Sequence, residues 1–220
     1  MTPMYKQIIS VLILLLLPGL AVAEQVKDQP RQVLFKNVNI FDGKNEKLKM
    51  GRDVLIEGNL IKHIGKGLKA GNGATVVEGN GRTLMPGLID MHTHLMFRYG
   101  VAIMRSDFDA QAAGAAAMET LQLFMKMGYT TVRDVGGNSL GLARNVAAGR
   151  LKGPRIYSSG GAISPISGHN DVAMFSEGPG EDVFTRRGDT HLISGPVEAR
   201  EATRKLLRGG ASQIKIMVGG

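Results

Sequence analysis

The segment Pro86-Gly-Leu-Ile-Asp-Met-His-Thr-His-Leu95 reads as a β-strand entered through a Pro-Gly break, with Leu88 to Leu95 as the strand itself. Side chains on a strand alternate between faces, so Asp90, His92 and His94 point to one side. Two neutral imidazoles two residues apart can chelate one divalent metal, which they suit by softness and geometry. Asp90 is placed to hold an imidazole as a hydrogen-bond acceptor behind the metal. A His-x-His pair alone is a weak signal, because surface strands produce it by chance. Its weight here comes from the Pro-Gly-apolar-apolar-Asp frame and from the pattern that follows it.

That pattern alternates strand and helix. Ala110 to Met127 is rich in good helix formers, Thr130 to Val135 is a strand leading into Gly136-Gly137, and Leu140 to Ala148 is a helix. Arg155 to Ser158 is the third strand, ending at Gly160-Gly161, and a long polar loop runs from about Ser164 to Ser194. Val197 to Leu207 is a helix opened by Pro196, and Ile214 to Val218 is the fourth strand. Alternating βα units imply a parallel sheet. Polar or Gly-rich loops at several strand ends favour a (β/α)8 TIM barrel over a doubly wound sheet, whose sites gather at one switch point. The expected fold class is therefore α/β, with residues 86–220 forming the first four βα units of the barrel. A complete barrel takes about 250 residues, so the chain reads as a truncated one.

Upstream, residues 24–85 read as a small β-module. Val33 to Phe35, Val38 to Ile40, Asp53 to Glu57, Leu60 to Ile64 and Ala74 to Glu78 are short strands. Gly58-Asn59 joins two of them as a two-residue hairpin, because glycine accepts the positive φ of a type II′ turn. Residues 1–23 have the form of a signal peptide. Lys6 supplies the positive start, Ile8 to Leu17 the apolar run, and Ala21-Val22-Ala23 the small-x-small cleavage pattern. An uncleaved anchor is the alternative, but an apolar run of about ten residues is half the roughly twenty that a bilayer needs. The mature protein is expected to be exported, periplasmic or secreted, with no stable membrane insertion.

Composition narrows the chemistry. With 0 cysteines, disulfides, thiolate metal sites and cysteine nucleophiles are excluded. The net charge of +8 is spread among acidic residues, and 0 Trp with 5% aromatics supply no base-stacking platform, so nucleic acid is not an expected partner. Lys215, in Gln213-Ile-Lys-Ile-Met-Val-Gly219, stands in an apolar strand where a bare ammonium is costly to bury; a lysine snorkelling from a strand end is the competing reading. Asp134 ends the second strand, either supporting a ligand or pairing with Arg133. His63 and His191 read as structural or surface residues.

Asn37-Val-Asn-Ile-Phe-Asp-Gly43, the Gly58-Asn59 hairpin and Pro86 to Leu95 together resemble the opening of the amidohydrolase superfamily, and more narrowly its imidazolonepropionase-like and Xaa-Pro dipeptidase-like branch. The resemblance runs from about Val33 to Gly220. It implies a metal-bearing barrel beside a small β-sandwich built from both chain ends, and hydrolysis of a C–N bond in an amide, cyclic amide or dipeptide. It implies that carbon dioxide carboxylates Lys215, whose carbamate joins His92 and His94 around two divalent metals, zinc foremost. His169 would touch the substrate's carbonyl or carboxylate; a solvated loop histidine competes with that role. The family's other histidines and its acid/base aspartate come from later strands, so the aspartate is expected beyond Gly220 and the isolated chain is expected to be inactive. The alternative is a non-catalytic metal-binding or assembly fragment of an exported β/α protein. A homo-oligomer is left open. Residues 24–220 expressed alone would carry unpaired strand edges beside the β-module and at Ile214 to Val218. They should run as oligomers or aggregates on size exclusion, and a sharp monomer peak would count against this.

Overall fold

The structure, a computed structural model, describes residues 30–100, 109–178 and 181–219. The expected signal peptide lies outside the described residues. The chain divides between Met85 and Pro86 into two units.

In the first unit β1 (Gln32–Ile40), β2 (Lys49–Glu57), β3 (Leu60–Gly65), β4 (Thr75–Glu78) and β5 (Thr83–Leu84) form one sheet, ordered β3-β2-β1-β4 with β5 also on β1. The β2–β3 hairpin is antiparallel and pairs Glu57 with Leu60. Gly58 in its turn has φ 62° and Asn59 is not in the left-handed region, as a type II′ turn requires. Two expected strands, Val33 to Phe35 and Val38 to Ile40, are a single strand. A register shift lies between Phe35 and Val38, and Asn37 takes φ 49° there, so the chain bulges without leaving the sheet. The buried Asp53 carboxylate secures the bulge, accepting the Asn37 amide at 3.0 Å and the Leu68 amide at 3.0 Å. Val38, Ile40 and Val54 form the core with Phe35, Ile56 and Leu84 against them. Since β2, β4 and β5 all pair with β1, the described residues of this unit supply one sheet, the share that this end of the chain would contribute to the expected two-ended sandwich.

The second unit runs β6 (Leu88–Thr93), α1 (Ala110–Lys126), β7 (Tyr129–Asp134), α2 (Leu140–Ala147), β8 (Arg155–Ser158), β9 (Ala162–Pro165), α3 (Val183–Arg187), β10 (Thr190–Ile193) and α4 (Pro196–Arg208). Strands β6, β7 and β8 form a parallel sheet in that order. Asp109 caps α1 by accepting the Gln111 and Ala112 amides. Helix α1 then packs Leu121 against Val132 of β7 and Leu95, with Phe124, Leu142, Val146 and Ile156 around them. The unit is mixed α/β with parallel strands joined through helices.

Two expectations for this unit are overturned. The supposed loop from Ser164 to Ser194 contains α3 and β10, and β10 pairs parallel with β9. A four-residue strand of alternating Thr, Leu and His, Ile residues is too short for its periodicity to stand out, and only its partner reveals it. Ile214 to Val218 is not a ladder strand. It makes one isolated parallel bridge, Ile163 to Ile216, closed by Ile163 N–H to Lys215 O at 2.9 Å and Met217 N–H to Ile163 O at 2.8 Å.

The Asn37 amide, the main cause, holds the Asp53 pKa below its ordinary 3.8. A depressed carboxylate contributes stability that is complete above its unfolded pKa and lost as pH falls through the folded one. Asp53→Ala, which leaves two amides without their acceptor, should cost about 1–3 kcal/mol at neutral pH. In denaturant melts the gap from wild type should narrow in acid.

Candidate metal centre

Strand β6 ends at Thr93, so His92 is its penultimate residue and His94 the first beyond it. Both are exposed, with ring centroids 5.2 Å apart and planes at 71°. The backbone beneath them is held at nearly every residue. Arg133 Nε donates to Met91 O at 2.6 Å, the His92 amide to Asp90 at 2.9 Å, the Val135 amide to Thr93 O at 3.0 Å and the Leu95 amide to Asp134 at 2.8 Å. One oxygen of the Asp90 carboxylate takes the main-chain amide two residues on, as short acidic side chains readily do. The His94 ring stacks on Phe97 at 5.7 Å, and Phe97 meets Phe184 edge-on at 5.4 Å.

Partial desolvation lowers the His94 pKa, the charges of His92 and Lys215 lower it further, and a hydrogen bond with the Gly136 backbone opposes them. The net direction favours the neutral imidazole, the form that binds metal. A Cβ on Gly136 would lie 2.9 Å from His94 Nδ1, so residue 136 must be glycine for the ring to sit here. With Nδ1 turned to that backbone, Nε2 is the nitrogen left for a ligand, the usual division of labour in a metal-binding histidine. Lys215 is half-buried and close enough for its charge to act on His94.

Asp134, at the end of β7, is fully buried. Its carboxylate accepts the Leu95 amide at 2.8 Å, Thr93 Oγ1 at 3.4 Å and the Ser139 hydroxyl. The first two flank His94. Ser139 Oγ is also 2.7 Å from Ser158 Oγ at the end of β8. The described ion pairs do not include Arg133 with Asp134; the Arg133 Nε donates to Met91 O instead. Burial, with the nearby Asp189 charge adding to it, pushes the Asp134 pKa up to about 7 against the hydrogen bonds that lower it.

The structure thus brings Asp90, His92, His94, Asp134 and Lys215 into one neighbourhood. His169 is exposed on a separate turn, its amide bonded to Gly219 O at 3.2 Å, and no described contact links its ring to the others. His191 is half-buried in a cavity of about 530 Å³ with Thr185, Glu198, Glu201 and Lys205, apart from this neighbourhood. Among the described residues no three His, Asp or Glu side chains converge in a metal-holding group.

Ser139, Ser158, Phe97 and Gln213 were not marked by sequence reasoning. Ser139 precedes α2 and looks like an ordinary N-cap, yet it makes no capping bond and gives its hydroxyl to Asp134. Nothing in the local pattern distinguishes these uses.

A family model, Amidohydrolase family, matches residues 83–220. Among curated proteins, an ochratoxinase of Aspergillus niger is 32% identical over 157 residues, covering 62% of this chain and 31% of the relative. The chain therefore spans about a third of that relative's length. Among solved structures, an amidohydrolase superposes with a TM-score of 0.73 at 30% identity, covering 84% of this chain and 46% of the other. A prolidase complexed with N-methylphosphonate-L-proline gives 0.75 at 27% identity, covering 84% and 46%.

An acid whose folded pKa is raised contributes stability that is complete below its unfolded value and is lost as pH rises through the folded one. For Asp134 that window runs from 3.8 to about 7. Thermal melts of Asp134→Asn, which cannot titrate, should show a flatter decline across this range than wild type.

Proposed function

The chain belongs to the amidohydrolase family, and on that premise we propose that it is part of an exported, metal-dependent hydrolase of carbon–nitrogen bonds in amides, cyclic amides or dipeptides. The observation that carries this reading is the pair of imidazoles at the C-terminal end of β6, with Lys215 beside His94. Parallel strands β6 to β8, alternating with helices, support a (β/α)8 barrel, whose active sites form at that end of the strands.

The donor set fits a divalent ion: two imidazoles, one with its Nδ1 edge turned to a backbone, and a lysine that becomes an anionic ligand once carboxylated. His92, His94 and the Lys215 carbamate would hold two such ions, zinc being the first choice. Polarisation of the scissile carbonyl is the chemistry that bound metal supplies. The chain's own residues orient that site. Gly136 seats the His94 ring, Asp134 and Asp90 fix the backbone on either side of the histidines, and His169 is assigned to a substrate carbonyl or carboxylate. Likeness to a prolidase complexed with N-methylphosphonate-L-proline supports a dipeptide or related amide as substrate. The acid/base aspartate is assigned to sequence beyond Gly220, and export to residues 1–23.

Elemental analysis of the full-length protein separates the outcomes. About two equivalents of zinc, falling in His92→Ala and in Lys215→Ala, together with cleavage of Xaa-Pro dipeptides or aromatic amides, is the expected result. Metal content indifferent to both substitutions would remove the basis of the proposal.

A further inference from the structure

Lys215 lies on a segment that forms no ladder; among the described residues it is joined to β9 through the bridge at Ile216 and the two hydrogen bonds around Ile163. A single bridge is a poor anchor for a side chain that has to meet His94 just past the end of β6, three strands away in the chain order. A second anchor stands two residues earlier. Gln213 Nε2 donates to Tyr157 O at 2.9 Å and to Asp134 O at 3.2 Å, so both hydrogens of one amide are spent on the ends of β8 and β7. Its Oε1 accepts the Ser212 hydroxyl. The Ser212 amide donates to Ser158 O at 2.9 Å, and the same carbonyl lies 3.2 Å from Ser212 Oγ.

Asp134 closes the circuit. Its carboxylate holds the Leu95 amide, next to His94, while its main-chain carbonyl receives Gln213. One residue therefore touches the segment of each candidate ligand, through different atoms. We infer that Gln213 is a positioning residue, a clasp that fixes the Lys215 segment against the ends of β7 and β8 and so sets Lys215 relative to His94. The inference rests on the reading of His92, His94 and Lys215 as metal ligands.

The clasp depends on donation, which makes it separable from side-chain bulk. Gln213→Met keeps the length and loses both donors. Gln213→Glu keeps the shape and turns an acceptor toward two carbonyl oxygens, which repel it. Loss of an outer partner of a metal ligand weakens metal binding by roughly 10–100-fold, and that is the effect expected here. Gln213 is half-buried, so neither change removes core packing.

The test is a cobalt(II) titration of the metal-free full-length protein, reading both affinity and the visible ligand-field spectrum, with Lys215→Ala alongside. Both Gln213 variants should bind cobalt roughly 10–100-fold more weakly, with spectra shifted toward that of Lys215→Ala and metal-free melting temperatures close to wild type. Should a Gln213 variant fail to fold, Ser212→Ala, which strips only the neighbouring hydroxyl, should show the same spectral shift with a smaller loss. Wild-type affinity and spectrum in the folded variants, while Lys215→Ala differs, would overturn the clasp alone. Equal binding by wild type and Lys215→Ala would overturn the ligand assignment of Lys215 and the clasp with it.

Discussion

A carboxylate buried at the end of β7 is the constraint on which the neighbourhood of the histidines depends. Asp134 has no access to water, so each of its lone pairs must find a donor inside the protein. Those donors are the Leu95 amide and the Thr93 hydroxyl on one side and the Ser139 hydroxyl on the other. Satisfying one buried group thereby fixes the end of β6 against the end of β7, with Ser139 passing the contact on to Ser158 of β8. The stacked rings of Phe97 and His94 add an apolar brace to the same turn.

The same device recurs in the first unit at a different scale. Asp53 is also buried, and it holds two main-chain amides, those of Asn37 and Leu68, at a point where β1 bulges. The two carboxylates nevertheless shift in opposite directions. Hydrogen bonds outweigh burial at Asp53 and lower its pKa, whereas burial outweighs three hydrogen bonds at Asp134 and raises it. Depth and the neighbouring Asp189 charge decide between them, not the number of donors.

Much of this was legible along the chain. Helices Ala110–Lys126 and Pro196–Arg208, the Gly58-Asn59 hairpin and strands Tyr129–Asp134 and Arg155–Ser158 stand within a residue or two of where composition and turn chemistry put them. Each carries its own signal in propensity, capping or a positive-φ glycine. Strand Thr190–Ile193 carries none that four residues can express, and its place depends on Ala162–Pro165 alongside it. The apolar run at Ile214 to Val218 has the strongest β-character of the later chain, yet only Ile216 finds a bridging partner. Propensity describes a surface that fits a sheet; pairing needs another strand in register.

Pro86 to Leu95 by itself determined that two imidazoles lie near one strand end, because a period of two and a Pro-Gly break are local properties. It also determined, through the residues around it, that the later chain alternates helix and strand. Only the tertiary structure decided that Gly136 approaches the His94 ring, that Asp134 holds the Leu95 amide, and that Ser139 leaves its helix end to satisfy the same carboxylate. The first two join residues from separate strand ends. They follow from which buried polar atoms must be satisfied once the strands are side by side, a condition that no stretch of sequence states alone.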